Sequence, residues 1–154
     1  MLLIKTYTAP DAFGGTGVFA SEPVAAGTVV WRYAPVIDLF FSYDAYQALP
    51  GADRDRFGKH VYPAALNGVV GVMYSRDNDR FTNHSFDPNT GESVDGTVIA
   101  LRAIAAGEEI TANYFGFMPQ GLPPFFARLP CYAFLLSIDA DGLTKTETLL
   151  ACGG

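Results

Sequence analysis

The chain has 154 residues, enough to bury one core and too few for two, so one domain over residues 1–154 is expected. Apolar residues at 49% against 17% charged exclude a disordered polyampholyte, and 16 Gly with 10 Pro predict many turns and short elements. A formal charge of −6 and a pI near 4.7 disfavour nonspecific nucleic-acid binding, because a phosphate-tracking surface needs a dense basic face and only 10 Lys plus Arg are spread along the chain. The acidic field favours a basic partner.

Cys131 and Cys152 stand far from each other and from both histidines, so no disulfide framework and no Cys-rich zinc site is expected. Met1-Leu2-Leu3-Ile4-Lys5 lacks a basic region ahead of its apolar run, and no apolar stretch reaches the ~20 residues of a membrane span. The expected location is cytoplasmic, without membrane contact.

Residues 2 to 8 read as a first strand that ends in a turn at Ala9-Pro10-Asp11. After the loop Phe13-Gly14-Gly15-Thr16-Gly17, the run Thr28 to Tyr33 is predicted as a strand from its β-branched and aromatic side chains. Ser42 is placed as the cap of a short helix from Tyr43 to Leu49, stopped by Pro50-Gly51. Residues 53 to 60 are charged and read as a surface turn or helix, and Val69 to Tyr74 is apolar again. Val98 to Leu101 and Ile110-Thr111 flank Ala105-Ala106-Gly107-Glu108-Glu109 as strand, turn, strand. Leu129 to Leu150 reads as a hairpin around Asp139 to Gly142, and no internal repeat is visible.

Three patches carry chemistry. Gly15, Gly17 and Ala20 formally satisfy the G-x-G-x-x-A pattern of dinucleotide loops, but Ser21-Glu22-Pro23 interrupts any helix at once, which rejects a nucleotide fold. A tight loop remains, either a plain hairpin turn or a bare backbone that a ligand can approach. Asp79-Arg80-Phe81-Thr82-Asn83-His84-Ser85-Phe86-Asp87-Pro88-Asn89 packs polar side chains between apolar strands, so they bond one another or hold a ligand. No metal role follows for His84, since His60 is distant in sequence and no cysteine joins it. Ile104 to Tyr114 completes the set; alone, its Gly-Glu-Glu turn is surface punctuation and its tyrosine a packing residue.

In this order, the glycine loop, the Arg-Phe-x-Asn-His-Ser-x-x-Pro-Asn segment and the Gly-Glu-Glu-Ile-Thr-x-x-Tyr segment resemble the signature motifs of SET-domain protein lysine methyltransferases. The resemblance covers about residues 12–116 and is poor between 35 and 75, leaving about 117–154 as a closing segment. It implies a mainly β fold, β-rich α+β, of several short curved sheets with a C-terminal pseudoknot that unites the second and third patches. It implies S-adenosylmethionine as cofactor and S-adenosylhomocysteine as product, with no metal. Gly15, Thr16 and Gly17 would cradle the methionine part, Arg80, Phe81, Asn83 and His84 the amino group and adenosine, and Tyr114 would be catalytic while also touching the cofactor.

The implied reaction is methyl transfer to a lysine amine of a protein substrate, in a basic context. A lysine has a pKa of about 10.4 in water, so a dry channel beside a cation must supply the neutral amine, and positioning dominates the catalysis. Phe86 stands where the family often carries a zinc-binding Cys, and Asn113 and Phe115 replace the usual Asp and Gly. Channel closure would then fall to Phe117, Phe125, Phe126 and Tyr132, whose plainer reading is core packing. These departures keep open a catalytically weak or inactive SET-like protein-interaction module, and free amines remain an alternative substrate class. Unpaired sheet edges are compatible with a homodimer.

Overall fold

The computed structural model describes residues 1–12 and 14–116. Among these, the strands are β1 (Thr6–Pro10), β2 (Thr16–Ala20), β3 (Val29–Trp31), β4 (Asp38–Ser42), β5 (Val61–Leu66), β6 (Val69–Ser75), β7 (Asn83–His84), β8 (Thr90–Glu92), β9 (Val98–Ala100) and β10 (Thr111–Ala112). Two short helices, α1 (Tyr43–Gln47) and α2 (Gly51–Gly58), and a 3₁₀ turn over Asn78–Phe81 complete them. The strands form three sheets: β1-β2, β4-β6-β5 and a five-stranded sheet of order β3-β9-β8-β10-β7. The mainly β, several-sheet architecture expected from the sequence is therefore present.

Boundaries moved where pairing overrode local signals. The first strand starts at Thr6 and runs through Ala9-Pro10, where a turn was expected, because Ala9 and Pro10 pair with Gly17 and Thr16 of β2. Leu2 bridges Trp31 instead. Ser42 does cap α1, its hydroxyl accepting from the Ala45 amide at 3.3 Å, but the helix ends at Gln47. Pro50, read as a stop, is the N-cap of α2. The apolar stretch from Val69 is β6, and its partner β5 went unread because Pro63 lies inside it. Among the described residues β5 is the outermost strand of its sheet, a position where Pro63, opposite Val72, is tolerated. The sequence signal for this hairpin is Asn67-Gly68, whose φ angles of 51° and 78° make the two-residue turn that matches strand twist.

A short repeat also escaped sequence reading. Val24-Ala25-Ala26-Gly27 and Ile104-Ala105-Ala106-Gly107 share one pattern, and the fold sets them side by side. Val24 and Ile104 exchange both backbone hydrogen bonds at 2.9 Å, while the Gly27 amide donates to the Ala100 carbonyl and the Gly107 amide to that of Ala20, each at 2.8 Å. Both Val24 and Ile104 then enter the main core with Val18, Ala20, Val30, Ala100 and Ile110. Each large aliphatic side chain buried there contributes roughly 1.5–3 kcal/mol. A second core, Tyr46, Val61 and Val72, packs beneath the β4-β6-β5 sheet.

One topological feature positions everything that follows. β7 and β8 are consecutive in sequence, yet β10 inserts between them, parallel to both. Thr111 and Ala112 pair with Asn83 and His84, so the second and third patches become neighbouring strands. The expected pseudoknot tail, the hairpin at 129–150 and residues Phe117, Phe125, Phe126 and Tyr132 lie outside the described residues.

Candidate active site

Asn83 is the hub. Its side-chain amide donates to Asp11 Oδ2 at 3.0 Å and to Glu109 Oε1 at 2.7 Å, committing both hydrogens to carboxylates. Asp11 is tied to the glycine loop, since Oδ1 accepts from the Gly15 amide at 2.8 Å and its own amide donates to the Gly15 carbonyl at 3.1 Å. Glu109 lies directly over Gly17. A Cβ there would stand 2.5 Å from Glu109 Oε1, so only glycine admits the carboxylate at this spot. Thr16 opens β2 opposite Pro10.

His84 links the hub to the tyrosine. The Tyr114 backbone amide donates to His84 Nδ1 at 3.1 Å, which assigns the ring proton to Nε2 in the neutral form. Burial holds the His84 pKa below its ordinary value, keeping that neutral form at physiological pH. The ring is surrounded by Phe86, Tyr114 and Phe115, with centroids at 4.6, 5.3 and 5.6 Å. The Tyr114 hydroxyl donates a short hydrogen bond to the Thr82 carbonyl.

Below that contact is a cavity of about 450 Å³, within the range of ligand sites. Trp31, His60, Tyr62, Asp79, Thr82 and Tyr114 are among its lining residues, so β5 and the five-stranded sheet both contribute to its wall. Burial first, then the charges of Asp79, Asp38 and Asp77, push the Tyr62 hydroxyl pKa well above its usual value. Burial and Asp77 raise Asp79 from 3.8 to about 7. His60 is lowered by burial and by Arg80. Among the described residues, the buried Trp31 Nε1 and His60 Nδ1 have no hydrogen-bond partner.

The fold thus gathers Gly15, Gly17, Asn83, His84 and Tyr114 through contacts between them and their immediate partners. Arg80 goes elsewhere: its guanidinium donates to the carbonyls of Arg76 at 2.9 Å and Asp77 at 3.4 Å and lies over the Phe81 ring at 4.6 Å. Phe81 packs against the main core and, edge to face, against His60. Sequence reasoning passed over Asp11, Glu109, Thr82 and Asp79. The signal for the first two was available, because a half-buried Asn amide with two donors still calls for two acceptors.

Glu108, the first acid of the Gly-Glu-Glu turn, is structural. It accepts from the Ala105 amide at 2.8 Å, Arg102 at 2.6 Å and Asn89 Nδ2 at 3.1 Å, and these bonds, the Ala105 amide foremost, hold its pKa below the usual value. Asn89, buried, also donates to the Glu109 carbonyl and accepts from the Thr111 amide, fixing β10 in register.

A β-rich fold that threads one strand between two sequence neighbours, with a tyrosine over a cavity and a glycine loop beside an Asn-His pair, defines a class of protein. Residues 15–115, more than half the chain, match the SET domain, and the chain belongs to that family. Its fold is similar to chains of the Chaetomium thermophilum Polycomb Repressive Complex 2. The apo complex in an autoinhibited state gives 24% identity and a TM-score of 0.56, covering 76% of this chain and 16% of that one. The crystal structure of the complex gives 23% and 0.55, covering 79% and 16%. A humanized mutant bound to the inhibitor GSK126 gives 22% and 0.55, covering 76% and 16%. At these identities the likeness is one of fold, and the chain spans 16% of the length of those it matches. No curated protein matches the chain.

Proposed function

We propose that this chain transfers a methyl group from S-adenosylmethionine to the side-chain amine of a protein lysine. The observation that carries the reading is the continuous set of contacts from the glycine loop, through Asp11, Asn83, Glu109 and His84, to a Tyr114 hydroxyl at the wall of the 450 Å³ cavity. The residues fit that cofactor. With both Asn83 hydrogens committed, the hub offers acceptor oxygens of Asp11 and Glu109 to a cationic amino-acid moiety, and the missing Cβ of Gly17 is what lets the Glu109 carboxylate stand there. His84, Phe86 and Phe115 supply aromatic faces for a flat base. S-adenosylmethionine, when bound, supplies the electrophilic methyl group.

The chain's own part is to bind, orient and exclude water. Tyr114 orients the amine, its hydroxyl held by the Thr82 carbonyl, and Thr82 offers that carbonyl as a second acceptor. A protein substrate is supported by the cavity itself, where Tyr62, Pro63 and Ala64 of β5 line the same space as Tyr114, room for a lysine side chain. Labelled S-adenosylmethionine mixed with the protein and a cell lysate is expected to label lysines. Tyr114→Phe should lower that labelling on the order of 100-fold with little change in stability. Full activity of Tyr114→Phe would remove the tyrosine from the mechanism. The alternative, a SET-like binding module without turnover, is favoured by one observation: Phe86 and Phe115 are exposed, 51% and 45%, and stack at 6.1 Å where a catalytic site would be closed. Calorimetry that shows cofactor binding without methyl transfer would select it.

A further inference from the structure

Three aspartates crowd the end of β6, and only two are provided for. Asp38 Oδ2 accepts from the Ala34 amide at 2.8 Å and the Met1 amine at 2.6 Å, and its Oδ1 lies 2.8 Å from the Ser75 hydroxyl. Asp77 accepts from the Leu2 amide at 2.7 Å and the Asp79 amide at 3.0 Å, with the Ser75 hydroxyl at 2.9 Å. Among the described residues, Asp79 accepts a single long bond, 3.4 Å, from the Thr82 hydroxyl. It is half-buried, and the cavity reaches it. A desolvated carboxylate with so little hydrogen bonding and two acidic neighbours is satisfied by a proton or by a cation entering the cavity.

Tyr62 on β5 and Tyr114 line the same cavity, and Thr82 joins the two ends: its hydroxyl meets Asp79 and its carbonyl takes the Tyr114 hydroxyl. We propose that Asp79 meets the ammonium of the incoming lysine in this cavity and accepts its proton. This inference rests on the lysine methyltransferase reading. In the step, one N–H bond of the ammonium breaks, an O–H bond forms on the Asp79 carboxylate, and the amine keeps the electron pair it needs as a nucleophile. Asp77, Asp38 and the Met1 amine act on the Asp79 carboxyl, and Lys59, His60, Arg80, Glu92 and Asp95 line the same cavity. Its pKa of about 7 suits a proton acceptor at neutral pH better than an ordinary carboxylate would.

The test uses the full chain, with wild type, Asp79→Asn and Asp79→Glu compared across mildly acidic to mildly alkaline pH. Labelled S-adenosylmethionine and a cell lysate provide the reactants, S-adenosylhomocysteine calorimetry reads cofactor affinity, and thermal melting reads the fold. Wild-type labelling should rise with pH through about 7. Asp79→Asn should lose that limb and fall on the order of 100-fold, with unchanged S-adenosylhomocysteine affinity, and Asp79→Glu should restore part of the rate. If Asp79→Asn does not fold, Asp79→Ser is expected to show the same lost limb. An active wild type whose pH limb survives in Asp79→Asn, whatever the rate, overturns the assignment and leaves the functional reading standing. A wild type that labels no lysine at any pH overturns the functional reading and this step with it.

Discussion

The two sides of the tyrosine differ in how their polar groups are provided for. On the glycine-loop side, Asp11, Asn83, Glu109, Asn89 and Glu108 bond one another, the Arg102 guanidinium and the backbone at 2.6 to 3.1 Å. On the cavity side, Asp79 has one long bond and Trp31 Nε1 and His60 Nδ1 have no partner among the described residues. A closed network costs little to keep and presets the shape of its site, whereas an open one stores an unmet demand that an incoming group can satisfy. The first side therefore reads as a preformed cradle, the second as a place where binding changes the electrostatics.

The sharpest way to break this contrast is at the hub. Asn83→Asp replaces the amide that two carboxylates share with a third carboxylate, so two charged hydrogen bonds become repulsions. A loss of roughly 3 kcal/mol is expected at neutral pH, easing in acid as the carboxylates protonate, and denaturant melts at the two pH values measure it. A smaller effect on melting at neutral pH would show that the network is less closed than its distances imply.

A smaller effect belongs to Gly17→Ala. The new methyl would stand 2.5 Å from Glu109 Oε1, and the carboxylate can swing away only by giving up Asn83. The expected cost is about 1–2 kcal/mol. It should shrink in a Glu109→Ala background, and a double-mutant cycle on melting data would expose the coupling.

On the cavity side the sign reverses. The folded pKa of Asp79 is raised from 3.8 to about 7, so its favourable contribution is present at low pH and is lost as pH climbs through that window. Asp79→Asn should accordingly be the more stable protein above neutrality, by roughly 1–3 kcal/mol, with no advantage in acid. Equal melting temperatures at both pH values would mean that the carboxylate is already compensated. The smallest expected change is Arg102→Ala, which removes an ion pair to Glu108 that is 51% exposed on the arginine side. Its cost is about 0.2–1 kcal/mol, reduced further by salt.

Motifs were legible because they encode local geometry. A glycine run before Ser21-Glu22-Pro23 cannot open a helix, and it became the turn into β2; Ser42 beside Tyr43 capped a helix as its hydroxyl requires. β5 was not legible, because Pro63 argues against a strand until its place opposite Val72 of β6 is known. Arg80 was assigned to the cofactor from its motif position, which does not reveal that its guanidinium donates to the carbonyls of Arg76 and Asp77.

By themselves, the residues in order determined the family motifs, the β-rich class and the candidates Asn83, His84 and Tyr114, since each depends on chemistry within a few positions. Only the tertiary structure decided that Asp11 and Glu109, 72 and 26 residues from Asn83, saturate its amide, and that Asp79 is left short of partners. The reason is that hydrogen-bond satisfaction and desolvation depend on everything packed around a group, and here those neighbours arrive through one strand inserted between two others.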